Sequence, residues 1–367
     1  MPSDRVFNFG AGPGTLPLPV LERAQDEFLS VDDAGASPLE VSHRGTWFRG
    51  VIERAKADLR RLLDVPDGHH VVFCQGGATM QFAMVATNLA SGGTPDYVLT
   101  GAWGAKAVAE AERLGDARIA WTGADDGFRR VPTTQELASA LSPDAAYAHV
   151  TTNETIQGVT FPHTPVVPES VRLVADASSD LLSRPVDVGR HAVLYAGAQK
   201  NAGPAGVTIA IVAGEVLGDV PDGLPTMLDY RTYVEHGSLY NTPPVFAIYI
   251  VGLVARWLLE DVGGLDAMLE RNRAKAKLLY DVLDASPRFF RGHAEVPSRS
   301  LMNVTFRLPS EDLEARFVEE AAAGGMIELK GHRSVGGIRA SIYNAMPIEG
   351  VRALAAFMRE FRDRYAD

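Results

Sequence analysis

The chain has 367 residues, of which 46% are hydrophobic and 22% charged, and its formal net charge is −11 at pH 7. The composition is that of an ordinary globular protein, the length calls for two domains, and the acidity argues against nucleic acid or an anionic membrane as the main partner. A single cysteine, Cys74, excludes an intramolecular disulfide and a Cys-based zinc cluster and suits a reducing compartment, so a cytoplasmic location is expected.

The N-terminal stretch MPSDRVFNFG has no basic segment leading into an apolar one, so no signal peptide is expected. GAGPG, from Gly10 to Gly14, invites a phosphate-loop reading. Pro13 removes a donor, however, and neither Gly-Lys-Ser/Thr nor a G-x-G-x-x-G spacing follows, so it is not taken as a nucleotide site. From about residue 50 to 215, short apolar runs (HVVFC, DYVLT, AAYAHVT, VRLVAD) alternate with helical stretches such as TMQFAMVATNLA and AKAVAEAERLG. That alternation predicts βαβ units, a mainly parallel sheet and an α/β fold. VFAIYIVGLVA, from Val245 to Ala255, is half a membrane span and predicts a buried helix. A second long helix is expected over Leu265–Leu283. The tail then alternates strand (SLMNVTFRL), helix (EDLEARFVEEAAAGG), strand (GIRASIY) and a closing amphipathic helix with Val351, Leu354, Met358, Phe361 and Tyr365 on one stripe, the pattern of a smaller α+β domain.

Several positions carry chemistry. Lys200 lies in YAGAQKNAGPAG, a tight connection between the apolar runs HAVLYAGAQ and GVTIAIVAG. Burial there would lower its pKa, and a neutral amine attacks carbonyls to form Schiff bases; the alternative is a solvated lysine on a hairpin tip. Asp176 ends the run VRLVAD, so its carboxylate is expected at the carboxyl edge of the sheet, where open α/β folds bind ligands. Pyridoxal phosphate needs both groups, a lysine for its aldehyde and a carboxylate against its pyridine nitrogen. Gly76 and Gly77, followed by a helix starting near Ala78 and Thr79, offer backbone N–H groups for its phosphate. Trp103 could stack on a flat ring, and Thr155, at the end of another apolar run, could reach a phenolic oxygen.

The strings NFGAGPG, SHRG, GGATMQF, NETIQG, VADASSD, YAGAQKNAGPAG, NTPP and KGHRSVGGIRASIYNAMPIEGV run nearly end to end, and in them the chain resembles the phosphoserine aminotransferase family, fold type I enzymes dependent on pyridoxal phosphate. The resemblance implies a large cofactor-binding domain (16–257) around a mainly parallel seven-stranded sheet, and a small domain from 1–15 and 258–367. It implies that Lys200 carries the cofactor, Asp176 pairs with the pyridinium nitrogen, Trp103 stacks on the ring and Thr155 contacts the 3-hydroxyl. Ala78, Thr79 and Gln199 would bind the phosphate, joined by Asn241 and Thr242 of the neighbouring subunit in a homodimer. Arg339 would take the substrate α-carboxylate, and His43, Arg44, His332 and Arg333 the distal anion. The implied reaction interconverts 3-phosphohydroxypyruvate and glutamate with phosphoserine and 2-oxoglutarate in serine biosynthesis; 4-phosphohydroxythreonine, in pyridoxine biosynthesis, is a further candidate substrate. Family members often have serine where this chain has Ala11, and some have arginine where it has Thr79.

The alternatives are less well served. A cysteine desulfurase needs a reactive thiol, and Cys74 is expected to be buried at a strand end. An alanine–glyoxylate transaminase has no use for a cluster of distal cations. A non-catalytic regulator of the same fold would add a basic DNA-binding module, and none is visible in the sequence.

Overall fold

Seven short strands supply the central sheet of the computed structural model, which describes residues 5–32, 34–90 and 93–366. Their order across the sheet is His69–Cys74, Thr208–Ala213, His191–Gly197, Leu173–Asp176, Ala148–Thr151, Asp96–Leu99 and Arg118–Thr122. Only Thr208–Ala213 runs antiparallel to its neighbours. Strands covered by helices on both faces read as continuous apolar runs, which is why all five inner strands are buried at every position. The sheet edge strand Arg118–Thr122 was not anticipated from the sequence. It is half exposed, and its apolar stretch, Ile119, Ala120 and Trp121, is short and flanked by Arg118 and Thr122, so it did not read as a core strand.

One face packs on the helices Thr46–Leu62 and Val245–Trp257 through Phe48, Ile52, Leu59, Ile248 and Val251. The other packs on Gly77–Leu89 and Ala102–Ala111 through Phe82, Val85 and Val108. The helix Val245–Trp257 is buried, as its composition predicted, and among the described residues no helix is long and apolar enough to cross a membrane.

A separate apolar cluster gathers Phe9 with residues from Ala276 onward. A three-stranded antiparallel sheet (Arg291–Gly292, Asn303–Arg307, Ile338–Ser341) packs there against the helices Leu265–Ala285, Glu311–Ala323 and Ile348–Tyr365. Phe317 meets Phe306 edge to face at 5.9 Å, and truncating a ring so buried costs about 3–5 kcal/mol. Phe7–Asn8 pairs in parallel with Met326–Ile327, which ties the start of the chain to this cluster. Of the segments expected to form the small domain, residues 1–4 and 367 lie outside the described residues, as do 33, 91 and 92 of the large one.

Candidate active site

Strand register assembles the site. Thr151 is paired with Asp176, and Asp176 with Tyr195, so the carboxyl ends of three neighbouring strands face the same crevice. Two residues past the end of His191–Gly197, the chain turns through Gln199 and Lys200. Together with Ala78, Thr79, Trp103, Thr155, Asp176, His332 and Arg339 they line a cavity of about 280 Å³. Nine of the fourteen residues singled out in the sequence therefore meet in one place.

Lys200 is 8% exposed, and its Nζ donates to Thr155 Oγ1 at 2.8 Å. Burial pushes the amine down to about 8, opposed by the charges of Asp176 and Glu154 and assisted by Arg339. Nζ lies 5.6 Å from the Trp103 ring centroid. Burial raises the Asp176 carboxyl, against the pull of Ser178, whose backbone N–H and hydroxyl both donate to Oδ1, at 2.9 and 2.6 Å. The Ser178 hydroxyl in turn accepts from Gly197 N–H at 3.0 Å, which locks the carboxylate to the strand beside it.

At the other end of the cavity the helix Gly77–Leu89 begins. Gly76 and Gly77 both have positive φ (83° and 65°), a conformation that glycine adopts without strain. The first N–H groups of a helix have no intrahelical partner and carry partial positive charge, so the first turn at Ala78 and Thr79 suits an anion. Two buried polar atoms along the cavity, Thr151 Oγ1 and Trp103 Nε1, have no partner within the chain. An amine, a carboxylate, an aromatic face and a helix N-terminus are the groups that pyridoxal phosphate requires, and the residues present fit it.

The substrate-side histidines and arginines divide. Arg339 and His332 line the cavity; burial lowers both pKa values, and the charges of Arg339, Arg333 and Lys106 push His332 further down. Arg333 is exposed in the next turn. Arg44 is exposed ahead of the helix Thr46–Leu62, and His43 is half-buried with Nε2 unpartnered. Asn241 and Thr242 are exposed, and in this chain they bond to Gln75: Asn241 Nδ2 donates to its Oε1, and its Nε2 donates to the Thr242 carbonyl, both at 3.3 Å. These five residues do not line the cavity.

Sequence reasoning missed Ala11 and Gly12, which form part of the cavity wall although GAGPG is no nucleotide loop. It also passed over Ser178 and Glu154 inside motifs it had singled out. Cys74 is buried as expected, and burial pushes its thiol up to about 12, which leaves it unreactive. A larger cavity of about 490 Å³, lined by Pro162, Leu181 and Leu301 among others, contains no lysine. Its buried carboxylate, Asp180, is already bonded to Thr152 and Arg184.

The family model described as Aminotransferase class-V matches residues 6–354. Phosphoserine aminotransferase of Geobacillus kaustophilus is 52% identical over 366 residues, 99% of each chain. The phosphoserine aminotransferase structure from Bacillus circulans subsp. alkalophilus superposes with a TM-score of 0.95 at 49% identity, covering 99% of both chains. The pyridoxal-phosphate-bound enzyme of Trichomonas vaginalis superposes at 0.91 with 38% identity over 97% of this chain and all of that one. A buried lysine, its carboxylate and a likeness that extends over nearly every residue lead to one conclusion: the chain belongs to the class-V aminotransferases, within the phosphoserine aminotransferase family.

Proposed function

We propose that this chain catalyses the reversible transfer of an amino group between L-glutamate and 3-phosphohydroxypyruvate, giving O-phospho-L-serine and 2-oxoglutarate in serine biosynthesis. The observation that carries the reading is Lys200: a buried amine with a single hydroxyl partner, opening into a cavity that also holds Asp176, His332 and Arg339.

When bound, pyridoxal phosphate supplies an aldehyde that condenses with amines and a ring that accepts electrons from the Cα–H bond. Lys200 would anchor it, and Asp176, kept in place by Ser178, would pair with the ring nitrogen. Trp103 would cover the ring, Thr155 would meet its hydroxyl, and Ala78, Thr79 and Gln199 would hold its phosphate. Lys200 Nζ would move the proton at the substrate Cα, and burial, which pushes the amine down to about 8, suits it to a base working near neutrality. Arg339 grips the α-carboxylate, while His43, Arg44, His332 and Arg333 receive the distal carboxylate or phosphate. Guanidinium forks bind both anions bidentately. By the same distal-anion logic, 4-phosphohydroxythreonine is a second substrate.

The exposure of Asn241, Thr242 and Arg44 supports a homodimer in which these side chains serve the neighbouring subunit's cavity. Division into a large domain (16–257) and a small one (1–15 with 258–367), and a cytoplasmic location, complete the reading. Mixing purified protein with phosphoserine and 2-oxoglutarate and following glutamate tests the activity; no glutamate would refute it. Mixing Lys200→Ala subunits with subunits lacking the Asn241 and Thr242 side chains tests the sharing. Activity should rise above either parent, because each hybrid dimer holds one intact site, and no rise despite subunit exchange would exclude a shared site.

A further inference from the structure

The hairpin formed by Asn153–Glu154 and Val159–Thr160 carries a charged side chain that the proposed reaction leaves unused. Glu154 is fully buried, and its carboxylate accepts the backbone N–H of Trp103 at 3.0 Å and of Gly104 at 2.9 Å. Both belong to the first turn of the helix Ala102–Ala111, whose own N-cap position is Gly101, a residue with no side chain to offer. A helix start presents orphan N–H groups and partial positive charge, and a carboxylate answers both. Gln157 completes the cap by accepting Ala102 N–H at 3.3 Å.

The space for this arrangement is built in. A Cβ on Gly101 would stand 2.5 Å from both the Glu154 carboxyl carbon and Gln157 Oε1, so only glycine permits the approach. The consequence reaches the cavity, because Trp103 is held by its own backbone N–H while its ring lines the pocket beside Lys200. The same hairpin presents Thr155 to Lys200, and its Gln157 carbonyl accepts from Thr305 at 2.8 Å, the strand partner of Arg339. Burial raises the Glu154 carboxyl to about 7, the two backbone donors oppose this, and the charges that face it are Asp176 and Lys200.

We propose that Glu154 is a positioning residue of the cofactor site: by capping the helix Ala102–Ala111 from the neighbouring hairpin, it sets the placement of the Trp103 ring over the group held at Lys200. The inference rests on the reading that this cavity holds pyridoxal phosphate.

The test uses the full chain loaded with pyridoxal phosphate, as wild type, Glu154→Ala, Glu154→Gln, Trp103→Ala and the Glu154→Ala/Trp103→Ala double variant. Cofactor dissociation and the visible circular dichroism of the bound cofactor are measured. Loss of the cap in Glu154→Ala should weaken retention about tenfold and alter the dichroism. Glu154→Gln keeps one acceptor oxygen and should recover part of both. In the Trp103→Ala background, removing Glu154 should change retention less than about twofold, because the ring it places is gone. Additive losses, or wild-type retention and dichroism in Glu154→Ala, would overturn the inference. If Glu154→Ala does not fold, Glu154→Gln with and without Trp103 makes the same comparison. Failure of the wild-type protein itself to take up pyridoxal phosphate would instead defeat the cofactor reading, and this inference with it.

Discussion

Lys200 and Lys275 are both buried, at 8% and 2% exposure, and burial pushes both amines down, to about 8 and about 7. Judged by burial and pKa alone, Lys275 is the better nucleophile. Their surroundings reverse that ranking. Lys275 Nζ donates to the carbonyls of Ile342, Tyr343 and Asn344 at 3.0, 2.6 and 3.3 Å, so its hydrogen-bonding capacity is committed to the backbone. Both lysines border a cavity, but Lys200 spends only one bond, on a hydroxyl. A depressed pKa makes a lysine available for chemistry only where its hydrogen-bonding capacity is left partly unused.

The contrast breaks most visibly by substitution. Lys200→Ala should lower kcat on the order of 10³-fold or more, because it removes both the anchor and the proton carrier. Borohydride should then no longer fix cofactor to the chain. Lys275→Met should keep fixation at Lys200 and lose stability instead, since three carbonyls are left without their donor. Peptide mapping of the reduced wild type decides the matter: label on Lys275 would invert the assignment.

The arginines extend the same contrast between cavity and rim. Arg339 lines the cavity and Arg333 does not. Arg339→Ala should therefore weaken phosphoserine, glutamate and alanine alike. Arg333→Ala should penalise the two substrates with a distal anion by about 10- to 100-fold in kcat/KM and spare alanine. Equal slowing of alanine and phosphoserine in Arg333→Ala would make Arg333 a structural residue.

A third difference appears as pH-dependent stability. Lys275 has a folded pKa of about 7 against an ordinary 10.5, so between those values the unfolded chain holds a proton that the folded one does not. Stability then rises with pH across that window and is flat below it. Lys275→Met abolishes this contribution. Wild type should gain about 2 kcal/mol over the variant between pH 7 and pH 9 in denaturant unfolding of the cofactor-free protein. Parallel curves would show that Lys275 keeps its proton in the folded state.

Much of this was legible in the sequence because it depends on strand ends. Asp176 and Lys200 stand where apolar runs stop, and in a parallel sheet those stops share an edge. Arg118–Thr122 was illegible because a half-exposed edge strand needs only a short apolar stretch, here Ile119, Ala120 and Trp121. Ala11 and Gly12 were illegible because they reach the cavity through contacts far apart in sequence: Gly14 N–H donates to the Gln199 carbonyl, and the Tyr343 hydroxyl to the Ala11 carbonyl, both at 2.7 Å. Glu154 meets its partners across about fifty residues. Lys275 did leave a trace. Asn272, Lys275 and Leu279 share the stripe of the helix Leu265–Ala285 that faces inward, and a lysine on such a stripe is either buried and bonded or misplaced.

The smallest expected effect isolates what Asp176 does to Lys200 before any cofactor arrives. Uptake of pyridoxal phosphate by the cofactor-free protein begins with a neutral amine, so its rate should rise with pH around a midpoint near 8. A carboxylate nearby stabilises the ammonium form, and Asp176 is the largest of the influences holding Lys200 up against burial. In Asp176→Asn the ammonium loses that support and deprotonates earlier, so the midpoint should move to lower pH and uptake at pH 7 should quicken. Retention should weaken in the same variant, because nothing then faces the ring nitrogen with charge. Lys275→Met should leave the midpoint where it is. Stopped-flow absorbance across pH 6–10 separates the two lysines by this single readout, and an unchanged or upward midpoint in Asp176→Asn would mean that the carboxylate and the amine are not electrostatically coupled in the empty site.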